Sequence, residues 1–226
     1  MDILAIIYRI KEFFITGMHN FPLIIGLTSL ILVCATSNMG YTVLLLSLAT
    51  LVPLLTFGLN LLAPFIQMAL KAIAGLFNKD IDFSSGATAV CNITREGSPS
   101  LFPSYWMAAV VFIFTFVAYN GGALYNYVGS SVASDEKISA RKAHALIGII
   151  SSAILGLVFI VWRLTTGCEQ WLGVVMSLLF IGVAIGIFEI FKVCGLLRLV
   201  DLYGIGSRLL PVGATANPTQ VCFPAA

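Results

Sequence analysis

Charge is the scarcest property of this chain. Only 10% of its 226 residues are Asp, Glu, Lys or Arg, against about 25% in an ordinary soluble domain. From Phe21 to Leu70 there is no Asp, Glu, Lys, Arg or His. A surface so poor in charge cannot face water over its whole extent, which excludes a free-standing soluble domain. The net charge is +2, too small for the basic patch that nucleic acid requires, so no nucleic-acid partner is expected. Histidine is nearly missing, with His19 and His144 alone, and a His-rich metal or haem site has nothing to draw on. The cysteines, Cys34, Cys91, Cys168, Cys194 and Cys222, form no CxxC pair and no zinc pattern. There is no phosphate-binding glycine loop, HExxH, GxSxG or phosphatase-like cluster of Lys, Arg and His. Membrane enzymes need several ionisable groups near one interface. Their lack points away from an enzyme and away from a cofactor.

What is present is apolar. Hydrophobic residues make up 59% of the chain and the mean hydropathy is +1.02. Lipid tails solvate such side chains, and a crossing helix needs about 20 of them. The fold class is therefore all-α, a polytopic transmembrane bundle of about five spans with an N-terminal amphipathic helix. Three regions are expected: an interfacial helix over 1–20, a transmembrane domain over 21–191 with an extramembrane loop at 71–104, and a C-terminal tail over 192–226.

Ile3, Ile6, Ile7, Ile10, Phe13 and Phe14 follow helical spacing, with Ala5, Arg9, Glu12 and Thr16 opposite. Such a helix lies in the membrane interface or packs on the protein's own spans. Asp2, Arg9, Lys11 and Glu12 interrupt any signal-peptide core, so the N-terminus is expected to be retained. Ser37-Asn38-Met39-Gly40 breaks the first long apolar run, because Asn and Gly favour turns. The spans then read as 21–36, 41–66, 105–128, 143–162 and 171–189. Pro53 and Pro64 predict kinks in the second, whose end is expected to turn along the interface. Residues 129–142 read as a polar loop. Tyr105, Trp106, Tyr119, Tyr125 and Tyr127 flank the third span as interfacial aromatics do. After Lys192, the residues Val193, Leu196, Leu197 and Val200 share one helical face, before Pro211, Pro218 and Pro224 break up a remainder that orders only if held.

Several residues are candidates for more than packing. Asp80 and Asp82 resemble a cation-binding pair, although a solvated loop explains them more simply. Glu189 is an ionisable group at a span end, where it suggests transport or merely reaches the interface beside Lys192. His144 reads as interfacial. Asn60, Gln67, Asn120 and Asn126 line a path or hydrogen-bond between helices. Gly182 and Gly186 form a GxxxG, and Gly148, Ser152 and Gly156 a matching stripe; both suit close helix packing. Asn92-Ile93-Thr94 is a glycosylation acceptor.

An odd number of spans puts the termini on opposite sides. Arg9, Lys11, Lys71, Lys79, Arg95 and Arg163 fall on the N-terminal side, and Lys137, Arg141, Lys142, Lys192, Arg198 and Arg208 on the other. The tie leaves the positive-inside rule undecided, while the cations nearest span ends favour the C-terminus inside. The same topology puts Cys91 and Cys168 on one side and Cys194 and Cys222 on the other, with Cys34 in the first span. A Cys91–Cys168 disulfide is thus permitted on an oxidising side; two unpaired thiols are the alternative.

The segment Pro99-Ser100-Leu101-Phe102-Pro103-Ser104-Tyr105-Trp106-Met107-Ala108 leads into an aromatic span and Asn120. It resembles the Pro-Ser-x-Trp-type lead-in to a membrane span in small multi-span proteins of large icosahedral double-stranded DNA viruses, over about residues 97–126. The resemblance implies a structural or minor capsid protein in the membrane beneath the capsid. Its partners would be the lipid bilayer and other subunits of a large assembly, capsid proteins among them. A small transporter or channel, and an accessory subunit of an organellar membrane complex, are the alternative readings.

Overall fold

The computed structural model describes residues 8–9, 12–13, 15–18, 20–76, 103–126, 135–196 and 199–203. Among them the secondary structure is helical, with no strand. Four apolar stretches are long enough to cross a bilayer: Met39–Ile66, Tyr105–Asn126, Ile138–Thr165 and Trp171–Val193. They are the second to fifth spans. Phe21–Thr36, the first, has 16 residues, or about 24 Å at helical rise, shorter than the ~30 Å hydrocarbon core. The chain is an integral-membrane bundle of about five spans. Its outer faces carry Leu23, Ile31, Leu54, Phe57, Phe65, Ile147, Leu157 and Ile190, all exposed, which lipid tolerates and water does not.

Each break has a local cause. Pro22 opens the first span, where its missing N–H costs nothing. Ser37 takes the left-handed conformation and ends it, and Asn38 Oδ1 then accepts the Gly40 N–H at 2.8 Å, capping the next helix. The expected disturbance at Pro53 takes the form of a π turn at Ser47–Leu51. That widened turn holds Ala49, the carbonyl a Pro53 ring would strike. The Tyr105 hydroxyl donates to the Leu48 carbonyl within it at 3.1 Å.

Helices outlast the hydrocarbon in two places. The one containing Pro64 continues to Leu76 without a break, so the first residues of the expected extramembrane loop are helical. The fourth begins at Asp135 rather than 143, taking in much of the expected polar loop. At the fifth span's end, the helix stops at Val193, so Leu196 and Val200 do not continue its face as predicted. Gly195 takes φ +71°, and the Leu196 N–H reaches the Phe191 carbonyl at 2.8 Å while the Gly195 N–H reaches that of Lys192 at 3.1 Å. This pairing closes the helix at Val193 and turns the chain back.

The third span is the hub, touching the first, second, fourth and fifth. Every residue from Trp106 to Ile113 is buried, so this part of the helix has no face left for lipid. Phe112 stacks on Phe116 at 5.8 Å, and Tyr119 meets Phe188 edge-on at 5.1 Å. In lipid such packing, rather than water exclusion, holds helices together. At the N-terminus, Tyr8 and Phe13 are largely exposed, as are Arg9 and Glu12.

Candidate functional site

The two membrane faces of the bundle carry different polar machinery. On the side of the N-terminus, Ser104 caps the third span: its Oγ accepts the Met107 N–H at 3.1 Å. The same hydroxyl donates to Glu169 Oε2 at 2.7 Å, and the Ser104 N–H donates to Oε1 at 2.9 Å. Glu169 sits in the short turn between the fourth and fifth spans, against Gly173, where a Cβ would stand 2.6 Å from Oε1. Arg163 approaches from the fourth span, 3.9 Å from Oε2, with side-chain exposures of 3% for Arg163 and 0% for Glu169. Its guanidinium lies 4.8 Å from the Trp106 ring centre, a cation–π contact. Trp106 Nε1 donates to the Met18 carbonyl at 3.0 Å, tying in the N-terminal segment. Burial pushes the Glu169 carboxyl above its ordinary range, outweighing the two Ser104 hydrogen bonds and Arg163.

On the opposite side, Leu199–Tyr203 returns across the bundle's end. The Leu202 N–H donates to Asn120 Oδ1 at 3.2 Å, and Asn38 Nδ2 donates to the Leu202 carbonyl at 3.3 Å. Asn120 Nδ2 donates to the Phe116 carbonyl at 2.9 Å. Two amides thus hold both polar groups of one residue, at the end of a first span too short to reach the surface. Val200 and Leu202 are buried beside them. Gly40 lets the returning segment in: a Cβ there would lie 2.6 Å from the Asp201 carbonyl oxygen.

Next to that lock a cavity of about 330 Å³ opens between the third and fifth spans, lined by Tyr119, Gly122, Ala123, Asn126, Phe188, Glu189 and Lys192. Glu189 Oε1 accepts from the Tyr119 hydroxyl at 2.7 Å, and Lys192 Nζ donates to Oε1 and Oε2 at 3.1 and 3.0 Å. The pair is solvated, with side-chain exposures of 55% for Lys192 and 37% for Glu189.

Among the described residues, the polar side chains suggested by sequence are not gathered along one path. Asn120 is bound into the lock, Asn126 and Glu189 line the cavity, and Asn60 is exposed elsewhere. His144 is exposed near the start of the fourth span. Gly148 faces the Tyr203 hydroxyl, 3.0 Å from a would-be Cβ, and Gly156 faces Phe114 at 3.5 Å; Ser152 between them is buried. Gly182 and Gly186 have no neighbour within 4 Å, so among the described residues their GxxxG packs against nothing. Cys168 is disulfide-bonded and Cys34 and Cys194 are free. Cys91, Asn92, Asp80, Asp82 and the side chain of Gln67 lie outside the described residues. Among the described residues no three His, Cys, Asp or Glu side chains cluster as metal ligands.

Sequence reasoning passed over Ser104, Arg163, Glu169 and the Leu199–Tyr203 lock. Two signals were available. Serine just before an aromatic helix start is an N-cap pattern. A carboxylate in a loop this short stays near the bilayer, where it needs a partner. No family model matches the chain, and no curated protein or solved structure matches it.

Proposed function

We propose that this chain is a structural, non-catalytic integral-membrane protein that anchors a larger assembly to the bilayer. The observation that carries this reading is the third span, sheathed by four neighbours and buried without interruption from Trp106 to Ile113. A conduit needs polar groups beside a wet lumen. Here Asn120, the most central candidate, is spent on holding Leu202. Locks on both membrane faces favour a bundle with one shape over one that alternates between two. In the form implied by the Pro103-Ser104-Tyr105-Trp106 lead-in, the assembly is a viral capsid and the membrane the one beneath it.

The test is cross-linking of the full chain in its native membrane, followed by mild detergent extraction and identification of what copurifies. A stable, stoichiometric set of assembly subunits is expected, and capsid proteins among them would establish the viral form. Selective solute flux through vesicles holding the purified chain alone would overturn the structural reading.

A further inference from the structure

The cavity between the third and fifth spans has no role in an anchoring bundle. Its walls come from one face of each helix, Tyr119, Gly122, Ala123 and Asn126 on the third and Phe188, Glu189 and Lys192 on the fifth. Among the described residues no other span lines it, so it follows a seam between these two helices. The space beside Gly122 is open, since a Cβ there meets nothing within 4 Å, and only a longer side chain would reach across it. Below the rim the seam is apolar, floored by the Tyr119–Phe188 edge contact. At about 330 Å³ it is at the lower end of ligand-site volumes, enough for part of an acyl chain.

The rim carries one charge of each sign. Glu189 and Lys192 satisfy each other on one side, yet both remain partly exposed. Lys192 has an N–H to spare, and a carboxylate offers about four acceptor positions, of which three are used. The amide of Asn126 adds a donor beside them. A ligand matching this rim carries an anion and a hydrogen-bond-donating cation a few atoms apart, joined to an apolar chain.

We propose that this seam binds one phospholipid whose zwitterionic headgroup ends in a primary ammonium, as in phosphatidylethanolamine. The ammonium donates to Glu189, the phosphate accepts from Lys192 and Asn126, and an acyl chain fills the seam past Gly122. Phosphatidylcholine has the same charges but no N–H to donate. An anionic headgroup meets Lys192 but is repelled by Glu189. The proposal does not depend on the anchoring role.

Native mass spectrometry of the full chain, released from nanodiscs with equal amounts of phosphatidylethanolamine, phosphatidylcholine and phosphatidylglycerol of identical acyl chains, tests it. One retained phosphatidylethanolamine is expected, favoured over phosphatidylcholine by roughly tenfold, the ratio one charge-assisted hydrogen bond commands. Glu189→Gln, nearly isosteric, should erase that preference while keeping occupancy. Gly122→Leu should empty the seam for all three lipids. Equal retention of phosphatidylethanolamine and phosphatidylcholine by the unmodified chain, or a preference for phosphatidylglycerol, would overturn the headgroup assignment. Undiminished retention in a folded Gly122→Leu variant would overturn the site.

Discussion

The two membrane faces each hold an ion pair, and the shorter pair is the less consequential. Lys192 and Glu189 approach to 3.0 Å but are partly exposed, whereas Arg163 and Glu169 stand 3.9 Å apart and are buried. Water and salt already screen the first pair, and fixing two mobile side chains offsets much of its attraction. The second has left water altogether, so each partner is indispensable to the other even though forming the pair brings little net stability. Surroundings rank these contacts, and distance does not. The same contrast separates a lock from a site: one end is closed around its charges, while the other leaves them available.

The largest effect should follow from Glu169→Ala. It strands the buried Arg163 guanidinium and unpairs the Ser104 N–H, and removing one partner of a buried pair costs about 3–5 kcal/mol. Thermal unfolding in detergent should show the loss, with Glu169→Gln milder because its amide oxygen still accepts from Ser104, although Arg163 loses its counter-charge. The pH profile sharpens the point. Burial holds the Glu169 carboxyl above its unfolded value, so the folded chain binds that proton more tightly than the unfolded one. The associated stability is complete below the unfolded value of about 4.3 and declines as pH rises through the folded one. The original chain should therefore lose stability over that window relative to Glu169→Gln. Equal melting of Glu169→Ala and the original chain would dissolve the contrast between the two faces.

Next in size is the bridge at Cys168, close to the same lock. Losing a native disulfide costs about 2–4 kcal/mol, and Cys168→Ser should lower the melting temperature accordingly. Non-reducing peptide mapping should join Cys168 to Cys91. A peptide joining it to Cys222 would contradict the side assignment of the tail.

The boundaries of the hydrocarbon were legible in the sequence, and the boundaries of helices less so. The first span was read to the residue, because Phe21 follows His19 and Asn20 and Ser37-Asn38 marks a turn. The fourth helix was read to start at 143 because hydropathy registers where lipid ends, whereas backbone hydrogen bonding continues back through Lys142 and Arg141 to Asp135. Asn120 was legible as a polar group needing a partner inside the membrane. That partner, Leu202, lies 82 residues away, and it is brought there by the turn at Gly195 rather than by any local pattern. Glu169 looked like an ordinary loop residue because its burial depends on Ser104, 65 positions earlier. Periodicity reports a residue's own helix face, and these sites are made of contacts between segments.

Glycines provide a smaller, paired comparison. Gly40→Ala puts a methyl 2.6 Å from the Asp201 carbonyl oxygen. The returning segment must shift, at a cost of about 1–3 kcal/mol, and hydrogen exchange at the Leu202 amide should accelerate as its bond to Asn120 loosens. Gly182→Ala meets open space and should stay within about 0.5 kcal/mol of the original, as exposed substitutions do. If Gly182→Ala proves the more damaging, its face is covered by something beyond the described residues.

The smallest expected effect is the most pointed, because it concerns the shorter ion pair. Lys192→Gln removes the ammonium but leaves Glu189 accepting the Tyr119 hydroxyl at 2.7 Å. Its carboxylate also stays within reach of solvent, so no buried group is orphaned. Melting temperatures of the original chain and Lys192→Gln should coincide, and raising the salt concentration should move them together, since screening has already taken most of what the pair offers. The Tyr119–Phe188 contact beneath the pair comes from packing and should survive. A fall in melting temperature matching that of Glu169→Ala would mean that this end is as dry as the other, and that proximity rather than burial ranks the two pairs. Coincident melting would instead show that the charges at the seam are free of a folding role, leaving the lipid retention of Lys192→Gln to report on binding alone.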